Sequence, residues 1–139
     1  MKPLLAVLCV LLVSFMSGCQ TAAPAQVKEP NVANQANEAL ELFEQYWNNG
    51  EDAEAGAAFM RRFKENPAAV LEALALASNH REQMLILIGS TIAEARRNDP
   101  ESYGEYTDAL ASASKLDLSE ESRRMLGFVH ANIEYWYSH

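Results

Sequence analysis

The sequence predicts an all-α domain of about six helices, paired as antiparallel hairpins in a small bundle or a superhelix. From residue 35 onward, apolar residues recur at three- and four-residue spacing, the period of a helix that is buried along one face. A capping side chain followed by Pro, which starts a helix, occurs at Asn66-Pro67 and at Asp99-Pro100. No segment alternates apolar and polar residues with β-branched enrichment, so no sheet is expected.

The first residues have the organisation of a secretory signal peptide. Lys2 gives a short positive segment, and Leu4 to Phe15 form an almost unbroken apolar run of 12 residues. A run of that length fits the core of a signal peptide, whereas a membrane-spanning helix needs about 20 apolar residues. Ordinary secretion would place cleavage after Ala23-Pro24-Ala25, which lies farther from the apolar run than is usual.

Residues 16–19, Met-Ser-Gly-Cys, resemble the lipobox of bacterial lipoproteins, in which small residues precede a Cys that becomes the mature N-terminus. The family prefers Leu where this chain has Met16. The resemblance implies that residues 1–18 are a lipoprotein signal peptide and that Cys19 carries diacylglycerol and a further acyl chain such as palmitate. Several acyl chains anchor a protein stably. Gln20, where Asp usually retains such proteins in the inner membrane, implies the outer membrane.

Composition excludes several classes of function. The chain has a formal net charge of −8, and cleavage after Gly18 would remove Lys2 and make it more acidic. An acidic protein lacks the basic footprint that nucleic acid requires, so no nucleic-acid partner is expected. Cys9 would leave with the signal and Cys19 would carry the lipid. The folded body would then have no disulfide, no thiolate metal site and no Cys nucleophile.

The helical domain is predicted to span residues 35–139, after a flexible tether over residues 19–34 whose Ala, Pro and polar residues show no apolar period. The first helix ends near Gly50, which suits the left-handed conformation, and the second ends before Pro67. The apolar faces of these two helices are Ala36, Ala39, Leu40, Phe43, Tyr46 and Trp47, and then Ala53, Gly56, Phe59, Met60 and Phe63.

The later helices also begin at caps and carry regular apolar faces. The two cap–Pro pairs each start a helix, Ser78-Asn79-His80 is a plausible break, and Asp117 or Ser119 caps the last helix. Residues 84–88 are the most apolar segment after the signal, so their helix is expected to be central. The other predicted faces are Val70, Leu71, Leu74 and Ala75, then Tyr103, Tyr106, Leu110 and Ala113, and finally Met125, Leu126, Val129, Ile133 and Trp136.

The two cap–Pro pairs lie 33 residues apart, a spacing typical of helical-hairpin repeats. The first unit resembles a tetratricopeptide repeat, although Ala39 and Phe43 stand where that family has Trp and Gly. The matching positions are Leu42, Tyr46, Ala55, Phe59 and Pro67. The second unit keeps only Ala95 and Pro100, so a compact bundle of three helical hairpins stays open beside a true repeat.

Residues that could carry chemistry are sparse. His130 and Glu134 stand four apart on one helix, as in a two-ligand metal site, but no third ligand is recognisable. Gly89-Ser90 lacks the G-x-S-x-G pattern of a nucleophile elbow and is expected instead to let a neighbouring helix pack closely. No enzyme activity, cofactor or metal site is therefore expected.

Aromatic residues carry the remaining functional signal. Successive helical residues point about 100° apart, so Tyr135, Trp136 and Tyr137 cannot all enter one core, and at least one should be exposed. Exposed Tyr and Trp are enriched at binding hot spots. The predicted partner-binding residues are Trp47, Tyr46, Glu41, Glu44, Tyr135 and Tyr137, with the carboxylates giving polar selectivity.

The sequence thus predicts a lipid-anchored protein on the periplasmic face of the outer membrane that binds protein partners in the cell envelope. It would act as an adaptor, an assembly factor or a pilotin-like chaperone. Two alternatives stay open. An immunity or inhibitor lipoprotein would use an acidic face to bind a basic toxin or hydrolase. A metal-dependent enzyme or metal carrier would use His130 and Glu134.

Overall fold

A computed structural model describes residues 23–139, and individual side chains from residue 32 onward. Within these residues it has six helices and no strand, which confirms the predicted all-α class. The predicted signal peptide and Cys19 lie outside the described residues. The helices are α1 (Ala23–Asn48), α2 (Ala53–Glu65), α3 (Pro67–Leu76), α4 (Arg81–Asn98), α5 (Pro100–Ser114) and α6 (Glu120–Ser138).

The first helix begins earlier than the sequence predicts. α1 starts at Ala23, whereas residues 19–34 are predicted as a flexible tether. Pro24 lies in the first turn, where its missing N–H costs no helical hydrogen bond, and Pro30 removes one such bond inside the helix. The Ala, Gln, Lys and Glu residues around them are good helix formers. The bundle described below comprises Ala33–His139.

Helix ends lie where the capping residues predict them. Asn66 and Asp99 each accept a hydrogen bond from the backbone N–H three residues on, and a Pro follows both at the first helical position. Ser119, rather than Asp117, caps α6. Gly50 has a φ of +69°, the left-handed conformation predicted for the end of the first helix. The local sequence thus determines the helix boundaries.

The helix α4 packs on α3, α5 and α6, and most extensively on α6. The helix α3 contacts one more helix than α4 does, so the central position predicted for α4 is shared with α3. Met84, Ile88 and Ile92 are fully buried, but Ile86 is 37% exposed. One side of the most apolar segment of α4 therefore stays uncovered.

Helices that are distant in sequence pack together. α3 contacts α6, and α2 contacts α5 as well as α3. Stacked repeats contact only their neighbours along the chain, whereas here α2 of the first hairpin contacts α5 of the third. The arrangement is consistent with a small helical bundle, and membership of the tetratricopeptide family stays a prediction.

The predicted apolar faces form the core of this bundle. Trp47 and Trp136, which end two of those faces, lie at its edge, because Trp47 is 39% exposed and Trp136 is half-buried. Within the described residues, no helix has the length and apolar character that crossing a membrane requires. The predicted face residues that are buried are Ala36, Ala39, Phe43, Gly56, Phe59, Met60, Phe63, Val70, Leu71, Leu74, Tyr106, Leu110, Ala113, Met125, Leu126, Val129 and Ile133.

Candidate functional site

Two grooves meet at the turn between α3 and α4. The larger, groove A, has a volume of about 850 Å³ and lies between the first half of α4 and the second half of α6. The smaller, groove B, has a volume of about 200 Å³ and lies between α1 and the end of α3. Ser78 and Asn79 line both grooves. The turn that contains these two residues therefore joins the grooves into one face of the bundle.

Groove A is walled by apolar side chains that the packing of α4 on α6 leaves exposed. Ile86 from α4, and Phe128 and Tyr135 from α6, are 37%, 43% and 53% exposed, and all three line the groove. Trp136 completes the wall, with its ring edge to face against that of Tyr135 and the two centroids 5.3 Å apart. The groove thus offers aromatic and aliphatic surface that no further helix covers among residues 32–139.

Groove B is bordered by an aromatic cluster at the end of α1. Phe43 is buried, and its ring stacks on that of Trp47 with centroids 6.4 Å apart. The His80 ring lies 5.9 Å from the Trp47 ring and lines the groove. His80 is the N-cap residue of α4 but makes no side-chain capping bond, so its ring is free to stack. Leu76, which is 55% exposed, lines the same groove.

The carboxylates that line the grooves are not neutralised. Glu82 lines groove A and Glu44 lines groove B, both are exposed, and within residues 32–139 neither forms an ion pair. Arg81 also lines groove A, but its Nε donates to the Leu74 carbonyl at 2.8 Å and its Nη2 to the Ala75 carbonyl at 2.9 Å. These carbonyls belong to the last turn of α3, where helices leave acceptors unpaired. The Arg81 side chain therefore caps α3, where its positive charge faces the negative end of the helix dipole. Glu44 and Glu82 are the carboxylates that line the two grooves.

The structure brings together some of the predicted partner-binding residues. Trp47 borders groove B through its contact with His80, Glu44 lines groove B, and Tyr135 lines groove A. Glu41 is exposed on α1 but lines neither groove. The first aromatic cluster that the sequence singled out thus contributes Trp47 to a common face, and the second contributes Tyr135 and Trp136.

Tyr46 lies apart from this face because it packs on α2. A β-carbon on Gly56 would lie 3.0 Å from Tyr46 Cδ2, so the tyrosine ring occupies the space that the glycine leaves open. Tyr46 lines a separate groove of about 420 Å³ together with Lys64 and Tyr106. Burial, with a smaller contribution from Glu51, raises the pKa of Tyr46 above its usual range. The side chain is therefore a packing contact rather than a free surface.

Tyr137 also lies apart, at the far end of α4. The guanidinium carbon of Arg96 lies 3.8 Å from the centroid of the Tyr137 ring, within the range of a cation–π contact. Arg97 Nη2 donates hydrogen bonds to the carbonyl oxygens of Trp136 and Tyr137 at 2.6 and 2.8 Å. These contacts hold the end of α6 against α4.

Sequence reasoning missed three residues of the face, namely Leu76, Ile86 and Phe128. Ile86 belongs to a segment so apolar that it predicts burial on every side. Phe128 falls beside the predicted α6 face, and with Ala131 and Tyr135 it forms a second stripe at three- and four-residue spacing. That second stripe is the signal that could have identified the wall of groove A.

His130 and Glu134 do not gain a third partner. His130 is exposed on α6, and Glu134 Oε1 accepts a hydrogen bond from Arg96 Nη1 at 3.2 Å. Within the part of the chain that the structure describes, no group of three or more His, Cys, Asp or Glu side chains is placed to hold a metal ion. The Glu134 carboxylate instead joins the contacts that hold the end of α6.

Comparison with models of known protein families finds no match to this chain. Comparisons with curated proteins and with solved structures also find no match. Functional inference therefore depends on the geometry and chemistry of the two grooves.

Proposed function

We propose that the helical bundle is the protein-binding domain of an outer-membrane lipoprotein, and that grooves A and B together form its binding face. The supporting observation is the clustering of exposed apolar side chains. Eight large apolar side chains are exposed within residues 32–139, and four of them line the two grooves while a fifth, Trp47, lies with its ring tilted against that of His80 in groove B. The four are Leu76, Ile86, Phe128 and Tyr135.

Clustering of this kind favours an interaction surface over a solvated helix face. Apolar side chains scattered singly over a surface need no explanation, whereas contiguous exposed apolar patches mark sites of protein interaction. Tyr135 and Trp47 are of the residue types that dominate binding energy at such sites. Groove A also falls within the range of about 300–1,000 Å³ that ligand-binding clefts occupy.

Cys19 supplies the membrane anchor in this proposal, through the lipobox that residues 16–19 resemble. Only residues 20–22 separate Cys19 from the start of α1. A helix rises about 1.5 Å per residue, compared with about 3.4 Å for extended chain. The helical start of α1 therefore lowers the maximum distance that an extended tether over residues 19–34 could span. The domain would work close to the membrane.

Site-specific crosslinking in the cell tests the proposed face. A photoreactive benzoylphenylalanine in place of Phe128 is expected to capture a partner protein, because Phe128 lines groove A. Leu116 provides a matched control, since it is exposed to the same extent, 43%, but lines neither groove. Equal capture from both positions, or none from Phe128, would contradict the proposal.

The same experiment with Cys19→Ser tests the anchor. An adaptor or assembly factor is expected to lose its partner when the lipid is lost, because both would then no longer be held at one membrane. Capture of a secreted toxin or hydrolase regardless of the anchor would instead identify an immunity or inhibitor protein.

Trp47→Ala separates binding from folding. Trp47 is 39% exposed, and its ring stacks on that of Phe43 and lies tilted against that of His80. Its loss is therefore expected to weaken partner capture while the helical circular dichroism persists. Loss of helicity together with binding would assign Trp47 to the core instead.

A further inference from the structure

We infer that the occupant of grooves A and B is a basic amphipathic helix of a partner protein, with apolar side chains in groove A and Lys or Arg side chains beside Glu82 and Glu44. The inference rests on the proposed function, because it specifies the partner of the same face.

Charge complementarity favours a basic partner. Glu82 and Glu44 are exposed, line the two grooves and form no ion pair among residues 32–139. Arg81 also lines groove A and keeps its positive charge, but its Nε and Nη2 are held against the carbonyls at the negative, C-terminal end of α3. An occupant that brings cations to both carboxylates therefore gains attraction at each end of the face.

The geometry of groove A favours a helix as the occupant. Its walls come from two helices, and Ile86 on one wall faces the stripe of Phe128 and Tyr135 on the other. A groove between two helices accepts the apolar face of a third, whose anchoring side chains recur at three- and four-residue spacing. The three wall residues are all more than a third exposed, so such a helix would cover them.

The same carboxylates argue against a membrane as the occupant. Apolar surface alone would suit a lipid interface, but interfacial segments carry Lys and Arg beside their apolar face to bind anionic headgroups. Here three Glu or Arg side chains line the two grooves, namely Glu44, Glu82 and Arg81, and the one cation is bonded to the end of α3. The two carboxylates would be repelled by an anionic bilayer.

Model peptides test the inference on the protein as purified from the cell envelope. One peptide of about four helical turns carries Leu on one face and Lys on the other, and a matched peptide has Glu in place of every Lys. The protein variants are wild type, the pair Glu44→Gln and Glu82→Gln, and a control pair, Glu65→Gln and Asp108→Asn. The control pair removes the same charge at two exposed positions that line neither groove.

The Leu/Lys peptide is expected to bind wild type and the control pair equally, and to gain helicity on binding. Its affinity for the Glu44→Gln and Glu82→Gln pair should fall about two- to tenfold, with the difference shrinking as salt is added. Binding of the Leu/Glu peptide with equal affinity would overturn the inference. So would an equal loss in the control pair, which would indicate only the general attraction of an acidic protein.

Two further results would also overturn it. A peptide with Pro at its centre that binds as well as the parent would exclude a helical occupant. Because acyl chains on Cys19 would bind vesicles in any case, the vesicle comparison uses the Cys19→Ser variant. Binding of that variant to vesicles of anionic phospholipid in preference to either peptide would identify a membrane as the occupant. The proposed function fails separately, by the absence of site-specific capture from Phe128, since a partner of other chemistry would still crosslink there.

Discussion

Gly89 of α4 lies directly against Asn132 of α6. A β-carbon on Gly89 would lie 2.7 Å from the β-carbon of Asn132 and 2.9 Å from its carbonyl carbon, so the two helices meet there almost backbone to backbone. This close approach is what the sequence predicts for Gly89-Ser90. Asn132 also lines groove A, and the contact therefore sets the separation of the two walls of the groove.

Gly89→Ala is expected to lower the free energy of unfolding by about 1–3 kcal/mol, because α6 would have to move away to make room for the methyl group. The higher helix propensity of Ala, about 1 kcal/mol, offsets only part of that cost. Urea unfolding followed by circular dichroism measures the difference.

Gly127→Ala provides the control for this substitution. Gly127 lies within α6, and a β-carbon there would meet no atom within 4 Å. The substitution is expected to raise the free energy of unfolding by about 0.5–1 kcal/mol. If both substitutions raised the free energy of unfolding by the same amount, the close contact at Gly89 would be contradicted.

Arg97→Gln is expected to fray the end of α6. Arg97 Nη2 donates to the Trp136 and Tyr137 carbonyls, which belong to the last turn and lack helical partners. Hydrogen exchange should show lost protection in that turn, and the free energy of unfolding should fall by about 1 kcal/mol. Arg124→Gln is the control, because the one ion pair of Arg124 among residues 32–139 is with Glu121 on its own helix. Equal hydrogen exchange of the last turn in the two variants would show that Arg97 does not hold the end of α6.

High pH is expected to destabilise the bundle through Tyr106 and Lys64. Burial raises the pKa of Tyr106 above its usual value of 10.0, although the Lys64 ammonium opposes the shift. A hydrogen bond to Glu105 raises the pKa of Lys64. Both groups hold their protons more tightly when folded, so their stabilisation is complete below about pH 10 and is lost as the pH rises through the folded-state pKa values.

Tyr106→Phe removes one of these two groups and tests the prediction. The free energy of unfolding of this variant should fall less steeply than that of wild type between about pH 9 and about pH 11. Urea unfolding at several pH values gives both curves. If the two curves were parallel, ionisation of Tyr106 would not contribute to the loss of stability at high pH.

Gln83→Met is expected to stabilise the protein. Gln83 Oε1 is buried and, among the described residues, has no hydrogen-bond partner. An unpaired buried acceptor costs about 1–3 kcal/mol, and Met has similar length without the polar atoms. The free energy of unfolding should rise by about 1 kcal/mol, whereas Gln45→Met, at an exposed position, should change it by less than about 0.5 kcal/mol. A destabilised Gln83→Met variant would contradict this explanation.

The helices could be predicted because their signals are local. Asn66, Asp99 and Ser119 cap helices by accepting a hydrogen bond from the backbone N–H three residues on, and the apolar period marks which side of each helix is buried. The start of α1 was less predictable, since the Ala-rich residues from Ala23 onward have helix propensity but no apolar face. Periodicity therefore identifies packed helices better than helices that lack a packed face.

The candidate site could be predicted only in part, for the same reason. An apolar period shows that a face will be covered but not which helix will cover it, so the exposure of Ile86 and Phe128 depends on where α6 crosses α4. That crossing is governed by the contact between Gly89 and Asn132. No local signal reports a contact between residues so far apart in the chain.

The sequence by itself determined the helical class, the helix ends, most of the core and the acidic charge of the chain. Only the tertiary structure decided which aromatic residues share a surface. Trp47 and Tyr135 border joined grooves although they lie far apart in sequence, while Tyr46 and Tyr137, beside them in the chain, pack elsewhere. The physical reason is that each helical residue points about 100° away from the one before it, so sequence neighbours diverge and the packing of helices brings distant residues together.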